Sequence, residues 1–127
     1  IKPETKFGSN TRFDFLISTT KGKSFIEVKN VTLSRTSNLA EFPDAKTERG
    51  LKHIKELIKA GRKNYQIFIL FLIQRNDCNT FSIAEDIDPN YANTLSKAVK
   101  NNLKILCYDC KFSSKGIKLN NKIKLKI

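Results

Sequence analysis

Ser-Phe-Ile-Glu-Val-Lys-Asn-Val-Thr-Leu, residues 24–33, is the stretch that decides the fold. Its β-branched and apolar residues predict a strand. Glu27 and Lys29 interrupt the apolar pattern, and because they are two residues apart, the pleat places both side chains on one face. A charge among apolar neighbours costs free energy unless it is paired or binds something. We therefore expect this strand to carry a site.

A second predicted strand precedes it and also carries a single charge that does not suit its neighbours. Arg12-Phe13-Asp14-Phe15-Leu16-Ile17 places one acid, Asp14, between two phenylalanines. The connection Thr20-Lys21-Gly22-Lys23 is typical of a hairpin, so we expect the two strands to be antiparallel. Upstream, residues 1–10 are polar and end in Gly8-Ser9-Asn10, a turn signal. Two adjacent strands, each with a charge in apolar sequence, indicate one shared site.

The remainder of the chain predicts alternating strands and helices. Residues 24–35 would form one strand with a bend near Asn30, followed by a loop over residues 36–46. Apolar periodicity and capping residues predict one helix over residues 47–61 and a second from residue 88 onwards. Further extended segments are predicted at residues 65–73, 81–84, 103–112 and 117–127, the first apolar enough to be covered on both faces. The order β-β-α-β-α-β predicts an α/β fold with a mixed sheet flanked by helices.

Length and composition indicate the class of protein. The 127 residues suit one domain, and a hydrophobic share of 39% supports a buried core. The chain starts at Ile1 and contains no methionine, so we expect a fragment or a processed chain. The longest apolar run, residues 67–73, is shorter than the ~20 residues that span a bilayer, and no signal peptide is visible. We therefore expect a cytoplasmic protein without a membrane partner; the sequence does not indicate an oligomeric state.

The three cysteines offer no obvious metal site. Cys107 and Cys110 have the C-x-x-C spacing but fall within a predicted strand, where they would point to opposite faces. We expect ordinary reduced thiols.

The formal net charge is +12 and the isoelectric point is about 9.8. Such an excess favours a polyanionic partner, most simply nucleic acid, either DNA or RNA. Compositional drift is the alternative, because lysine greatly outnumbers arginine and isoleucine and asparagine are abundant. An anionic membrane surface is less favoured, since neither predicted helix has a basic face opposite a broad apolar one.

Asp14, Glu27 and Lys29 supply the groups that phosphodiester hydrolysis needs. A divalent cation held by carboxylates neutralises the anionic phosphate and lowers the pKa of bound water. Mg²⁺ prefers one or two carboxylates, with water and phosphate completing its shell. A lysine ammonium beside the cation can position the water or stabilise developing charge. We expect Asp14, Glu27 and the Val28 carbonyl to hold Mg²⁺ or Mn²⁺, with Lys29 as the third catalytic group.

The acid-x-Lys string alone carries little information, because it occurs four times in this lysine-rich chain. What distinguishes Glu27 is its apolar strand and the neighbouring strand that carries Asp14. An alternative stays open at this point: a cross-strand ion pair between Asp14 and Lys29 on a half-exposed sheet face.

Several blocks of sequence resemble the sugar fermentation stimulation protein A family, in the family's order, from about residue 8 to residue 108. They are Gly8-Ser9-Asn10, Arg12-Phe13-Asp14-Phe15-Leu16, Glu27-Val28-Lys29-Asn30-Val31-Thr32-Leu33, Phe42-Pro43-Asp44-Ala45, Thr47-Glu48-Arg49-Gly50, Lys52-His53, Gln74-Arg75, and Ile87-Asp88-Pro89 with Tyr91. The resemblance implies a restriction-endonuclease-like (PD-(D/E)xK) core, non-specific DNA binding and nuclease activity. Its D…E-x-K site would here be Asp14, Glu27 and Lys29.

Family members also have an N-terminal nucleic-acid-binding barrel and a first helix of the nuclease core. The resemblance therefore implies that residues 1–127 are a C-terminal nuclease-like domain without that barrel and without that helix.

A second set of residues is expected to contact nucleic acid or to complete the site: Arg12, Glu48, Arg49, Lys52, His53, Gln74 and Arg75. Glu48 could join a metal shell or only favour the helix dipole. The arginines could hold phosphate or be solvated, and a lone histidine such as His53 is often structural. Gln74 and Arg75 follow a strand end, where ligand contacts concentrate. The basic tail would be a solvated face, edge protection or a DNA contact.

Two functions follow as expectations. The first is a metal-dependent nuclease that hydrolyses DNA or RNA with little sequence preference. The alternative is a non-specific DNA-binding regulator of sugar fermentation whose site is vestigial.

Overall fold

The structure is a computed structural model of the 127-residue chain. It describes residues 2–7, 11–114 and 116–126, with side chains described for residues 14–111, 114 and 118–126. The predicted turn at Gly8-Ser9-Asn10 lies outside the described residues. In chain order the elements are β1 (Lys2–Phe7), β2 (Thr11–Thr19), β3 (Gly22–Val31), β4 (Leu33–Thr36), β5 (Asn38–Phe42), α1 (Glu48–Arg62), β6 (Gln66–Ile73), β7 (Cys78–Ile83), α2 (Pro89–Lys100), β8 (Leu103–Ser113), β9 (Gly116–Lys122) and β10 (Lys124–Leu125).

The main sheet has six strands in the order β1-β2-β3-β6-β8-β9. β3, β6 and β8 are parallel, while β1, β2 and β9 pair antiparallel to their neighbours. The hairpin predicted between the first two strands is the β2–β3 pair, which turns at Thr20 and Lys21. The α/β fold with a mixed sheet flanked by helices is thereby confirmed.

A second sheet of four strands, β10-β7-β5-β4, departs from the sequence prediction. The strand expected over residues 24–35 ends at Val31 and resumes as β4, so the two halves join different sheets. The loop expected over residues 36–46 contains β5, which follows a tight turn where Asn38 has φ 66°. Asparagine tolerates that left-handed conformation better than most residues. A five-residue strand behind such a turn is too short for its periodicity to stand out.

The chain ends differ from the sequence prediction in two ways. The polar segment of residues 1–10 contains β1, which is a strand because it pairs with β2 rather than because of its own sequence pattern. The tail of residues 117–127 is not one strand: it breaks at Ile123, whose N–H donates to the Cys107 carbonyl at 2.9 Å. β9 stays on the main sheet, and β10 crosses to pair with β7. Ile123 is buried where the strand breaks.

Both helices begin where the capping residues predict. Thr47 caps α1 by accepting a hydrogen bond from the Gly50 N–H at 2.9 Å. Asp88 caps α2 by accepting one from the Tyr91 N–H at 3.1 Å, and Pro89 stands at the first helical position. The buried faces of the helices are Gly50, Ile54, Leu57 and Ala60 in α1 and Tyr91, Leu95 and Ala98 in α2.

The core lies on one face of the main sheet, under the helices and the second sheet. Phe71 of β6 contacts Phe42 of β5 and Phe81 of β7, with ring centroids 5.5 and 4.6 Å apart. Alternate residues of β6 are fully buried, but Phe68, Leu70 and Leu72 between them are only half-buried. The expectation that this strand is covered on both faces is therefore wrong, because both helices and the second sheet pack on the same side.

No helix in the part of the chain that the structure describes is long and apolar enough to cross a membrane. All three cysteines are free and buried, as expected of unpaired thiols. Burial raises the pKa of the Cys107 thiol to about 12.

Candidate active site

Glu27 and Lys29 lie on the buried face of β3. They alternate with Val28 along the strand, and Glu27 is only 3% exposed. In the parallel register Glu27 stands beside Ile69 and Lys29 beside Phe71, so both charged groups enter the apolar interior. The Lys29 Nζ lies 3.4 Å from the Glu27 Oε1. The strand pleat thus brings an acid and an ammonium into contact.

Asp14 joins β2 to β3 where their main-chain pairing ends. The described register runs from Thr19 opposite Gly22 to Phe15 opposite Ile26, which makes Asp14 and Glu27 the next pair of positions. The Asp14 Oδ2 accepts a hydrogen bond from the Val28 backbone N–H at 2.7 Å. The Asp14 side chain therefore accepts the hydrogen bond that a backbone carbonyl of β2 would accept from Val28 if the main-chain pairing continued.

The same hydrogen bond indicates the direction of the Val28 carbonyl. In an extended strand the N–H and C=O of one residue leave from the same edge. Since the Val28 N–H points to Asp14, the Val28 carbonyl also faces the β2 edge. Asp14 and this carbonyl consequently border the same gap between the two strands.

Helix α1 adds His53 to the acid and the ammonium. The His53 Nδ1 lies 3.0 Å from the Glu27 Oε1 and 3.0 Å from the Lys29 Nζ. A charged ammonium only donates, so Nδ1 accepts from Lys29 when it lacks a proton; when it carries one, it donates to Glu27. Glu27, Lys29 and His53 form one cluster, and among the described side chains no ion pair joins Asp14 to Lys29.

Burial governs the protonation of this cluster. It raises the pKa of Glu27 to about 7, with the Asp14 charge adding to the shift and the Lys29 ammonium opposing it. Burial also lowers the pKa of His53 to about 4, together with the positive charges of Lys29 and Arg49. The imidazole is therefore neutral at pH 7, so its contact with Glu27 is not an ion pair.

The oxygen atoms of Asp14, Glu27 and the Val28 carbonyl fit a small, hard cation. The Glu27 Oε1 is engaged by Lys29 and His53, while the buried Oε2 has no hydrogen-bond partner among the described residues. A buried carboxylate oxygen without a partner is rare in folded proteins. No group of three or more His, Cys, Asp or Glu side chains in the described part of the chain could enclose a metal. Two carboxylates and one carbonyl suit a cation that keeps waters, as Mg²⁺ does.

The first turns of α1 carry three more of the sequence-predicted residues. Glu48, Arg49 and Lys52 are all exposed. Arg49 precedes His53 by four residues, which places it on the same side of the helix, and the positive charges of Arg49 and Lys52 both lower the pKa of His53. Glu48 opens the helix, where a carboxylate favours the dipole.

The remaining predicted residues lie apart from this cluster or outside the description. Gln74 follows β6, and its N–H donates to the Val31 carbonyl at 2.8 Å. The Arg75 guanidinium binds the Asp77 carboxylate through Nε and Nη2 at 2.9 and 2.7 Å, and its Nη1 donates to the Thr32 carbonyl at 3.1 Å. The Arg12 backbone pairs with Lys6 of β1, and its side chain is outside the described residues.

Two residues next to the site were not found as such from the sequence. Asp88 caps α2 and also accepts the Thr47 N–H at 2.9 Å, so one buried carboxylate joins the starts of both helices. Tyr91 is fully buried, and its hydroxyl has no partner among the described residues. The available signal was a tyrosine on an apolar helix face, which by itself predicts only core packing.

The fold and the site together define the class: an α/β domain with a restriction-endonuclease-like core. The chain belongs to the sugar fermentation stimulation protein family, because the family described as "Sugar fermentation stimulation protein RE domain" matches residues 1–116. This confirms the family suggested by the sequence blocks.

Curated relatives and one solved structure agree with the assignment. The sugar fermentation stimulation protein homolog of Pelagibacter ubique is 50% identical over 125 residues, covering 98% of this chain and 54% of the relative. The homolog of Roseobacter denitrificans is 39% identical, covering 100% of this chain and 54% of the relative. "The structure of Pyrococcus Furiosus SfsA in complex with Ca2+" matches with a TM-score of 0.88 and 31% identity, covering 100% of this chain and 55% of that one. The chain thus spans about half the length of the curated relatives it matches.

Proposed function

We propose that this domain is the catalytic part of a divalent-metal-dependent nuclease that hydrolyses phosphodiester bonds of DNA or RNA with little sequence preference. The observation that carries the proposal is that the buried Glu27 and the partly buried Lys29 share one strand face, with the Asp14 carboxylate on the Val28 N–H beside them. A folded chain rarely buries an acid with an unpartnered oxygen in its core unless that oxygen has a ligand or a role.

Asp14, Glu27 and the Val28 carbonyl are the groups that would hold Mg²⁺ or Mn²⁺. A bound divalent cation would neutralise phosphate charge and lower the pKa of a bound water. The relative from Pyrococcus furiosus is described in complex with Ca²⁺, another hard cation that takes oxygen ligands. This likeness supports a divalent cation at the acids of the present chain.

Lys29 can act on the reacting groups, and His53 positions Lys29. The Lys29 ammonium, 3.4 Å from the Glu27 Oε1, can donate to the attacking water or to a phosphate oxygen as charge develops. With its proton on Nε2, the neutral His53 accepts from Lys29 at 3.0 Å and limits the positions open to the flexible ammonium. The chain thereby fixes its charged donor before a substrate arrives, which lowers the entropy lost on binding.

Exposed positive charge beside the cluster supports nucleic acid as the substrate. Arg49 and Lys52 lie on the helix that carries His53, and the whole chain has a formal net charge of +12. Contacts from such side chains go to phosphates, which fix position without reading sequence. Little sequence preference is the expected consequence.

A plasmid-nicking assay tests the proposal. Nicking should require Mg²⁺ or Mn²⁺, stop with EDTA and be lost in Lys29→Ala. Lys59→Ala is the matched control, because Lys59 is an exposed lysine of α1 that pairs only with Glu56 in the described structure. Nicking that survives both EDTA and Lys29→Ala contradicts the mechanism. DNA binding without nicking under any divalent cation favours the regulator.

A further inference from the structure

Two buried polar atoms in the described part of the chain have no hydrogen-bond partner: the Glu27 Oε2 and the Tyr91 hydroxyl. One is an acceptor and the other a donor. Leaving either without a partner costs free energy, because the group loses its hydrogen bonds to water and gains none in the folded chain. Native structures keep few such groups, and an unplaced water or ion is a common reason for those that remain. The missing partners are complementary, because Glu27 lacks a donor and Tyr91 lacks an acceptor.

The packing places Tyr91 over the sheet face that carries Glu27. The Tyr91 ring meets Phe42 edge-on at 5.4 Å, and Phe42 contacts Phe71, whose register partner is Lys29. Since paired residues of parallel strands share a face, Tyr91 covers the face that Glu27 and Lys29 occupy.

Helix α1 fixes the ring from its other side. A Cβ atom built on Gly50 would lie 3.1 Å from the Tyr91 Cε2, the ring carbon next to the one that bears the hydroxyl. One turn further along α1, His53 contacts Glu27. The negative charge of Glu27 adds to burial in raising the pKa of Tyr91, as this placement predicts.

We propose that Tyr91 is a positioning residue for Glu27: its hydroxyl donates to one buried water, and that water donates to the Glu27 Oε2. A water in such a place needs at least two polar partners, and these two groups supply them. Oε1 already contacts the Lys29 Nζ and the His53 Nδ1, so the bridge holds the second oxygen and stops the carboxylate from rotating. A carboxylate oxygen has two acceptor positions, so Oε2 keeps one for a cation.

The inference rests on the proposed function only for its consequence, the affinity of the site for a divalent cation. The contact itself is a statement about the folded chain and can be tested without nuclease activity.

Tyr91→Phe removes only the hydroxyl. Its effect on the melting temperature depends on whether that hydroxyl has a partner. If the hydroxyl has no partner, its removal leaves the melting temperature unchanged or raises it. If it supports Glu27 through water, its removal lowers the melting temperature and weakens Ca²⁺ binding measured by calorimetry. Groups that orient a ligand without touching the ion typically change metal affinity on the order of 10-fold.

A double-mutant cycle distinguishes support of Glu27 from general packing. In a Glu27→Met background the acceptor is gone, so Tyr91→Phe should no longer lower the melting temperature. Tyr108→Phe is the control for loss of a hydroxyl, because Tyr108 is half-buried beside Leu72 on the opposite face of the sheet. It should leave Ca²⁺ affinity unchanged.

The outcomes separate this proposal from the nuclease proposal. A lower melting temperature and weaker Ca²⁺ binding in Tyr91→Phe, both absent when Glu27→Met is already present, support the bridge even if the wild-type chain cuts nothing. An unchanged or higher melting temperature, or a loss that persists unchanged in the Glu27→Met background, overturns it. If the wild-type chain binds no Ca²⁺, the coupling of melting temperatures alone decides.

Discussion

The His53 Nδ1 and the Glu27 Oε1 lie 3.0 Å apart, and burial shifts their pKa values in opposite directions. The pKa of the acid is raised to about 7 and that of the base is lowered to about 4. Each shift favours the neutral form, because a buried charge is poorly solvated. An acid and a base in contact therefore do not form an ion pair at neutral pH.

Glu27→Gln should stabilise the chain at alkaline pH. The folded-state pKa of Glu27 lies above its ordinary value of 4.5, so its contribution to stability is full below pH 4.5 and is lost as the pH rises to about 7. Above pH 7 the wild-type chain carries the whole penalty, on the order of 3 kcal/mol. Urea unfolding at pH 4.5 and pH 8 measures the difference between variant and wild type.

That difference should grow with pH in favour of the variant. His53 works in the other sense: its depressed pKa gives stability above pH 6.5 that is lost as the pH falls towards 4. Because both chains contain His53, comparing variant with wild type removes much of its contribution. A stability gap that stays constant from pH 4.5 to pH 8 would show that Glu27 is not desolvated.

Asp14→Asn and Asp14→Ala should separate the structural role of this side chain from its charge. The asparagine oxygen can still accept the Val28 N–H, whereas alanine leaves that donor without its partner. We expect Asp14→Ala to lose about 1 kcal/mol of stability and Asp14→Asn to lose less. Ca²⁺ binding by calorimetry should fall in both, since neither variant has the carboxylate. Unchanged Ca²⁺ affinity in Asp14→Asn would remove Asp14 from the cation site.

Gly50→Ala should destabilise the chain although Gly50 lies in a helix. An added Cβ would stand 2.9 Å from the Thr47 Cγ2 and 3.1 Å from the Tyr91 Cε2, and both groups are held by the helix starts. Overpacking of this kind costs about 1–3 kcal/mol, more than the ~1 kcal/mol gained by replacing a helical glycine. Chemical denaturation measures the net change in the free energy of unfolding.

Gly61→Ala in the same helix is the matched comparison. Its Cβ would lie 3.1 Å from the Ile67 Cδ1, the movable end of a side chain. We expect this variant to be neutral or more stable, because propensity can outweigh so small an adjustment. Equal effects of the two substitutions would argue against a tight contact between the α1 start and Tyr91.

The parts of the site that could be predicted are those set by local rules. The pleat alone puts Glu27 and Lys29 on one face, and a hairpin turn places Asp14 opposite them. Capping residues likewise fix the starts of both helices. These features depend on neighbours within a few residues or on one antiparallel register, so the sequence pattern carries them.

The contributions of His53 and Tyr91 depend on how two helices pack on the sheet, which no local pattern states. In the sequence, His53 falls on the polar face of its helix and Tyr91 on the apolar face. In the structure, His53 contacts Glu27, and the charge of Glu27 affects the pKa of Tyr91. The second sheet was missed for a related reason. β5 and β10 are short strands that both pair with β7, which lies far from each of them in sequence, so tertiary pairing rather than periodicity selects them.

Arg49 and Arg75 should differ in their contribution to DNA binding, although the sequence treats them alike. Arg49 is exposed beside the cluster, whereas Arg75 is bound by the Asp77 carboxylate and the Thr32 carbonyl. A phosphate contact from Arg75 would have to break that pair, which also raises the pKa of Arg75. Arg49→Ala should therefore weaken binding across all sequences, and Arg75→Ala should change it little.

The salt dependence of binding gives the sharper measure, because each neutralised phosphate releases counterion and adds about 0.9 to the slope of log affinity against log salt. Fluorescence anisotropy with duplexes of unrelated sequence at several salt concentrations should give a slope that falls by about one contact in Arg49→Ala. Arg75→Ala removes the same formal charge and serves as the control. Equal slopes in both variants would mean that net charge, not the surface beside Glu27 and Lys29, determines binding. A flat salt dependence in the wild-type chain would leave compositional drift as the explanation of its +12 charge.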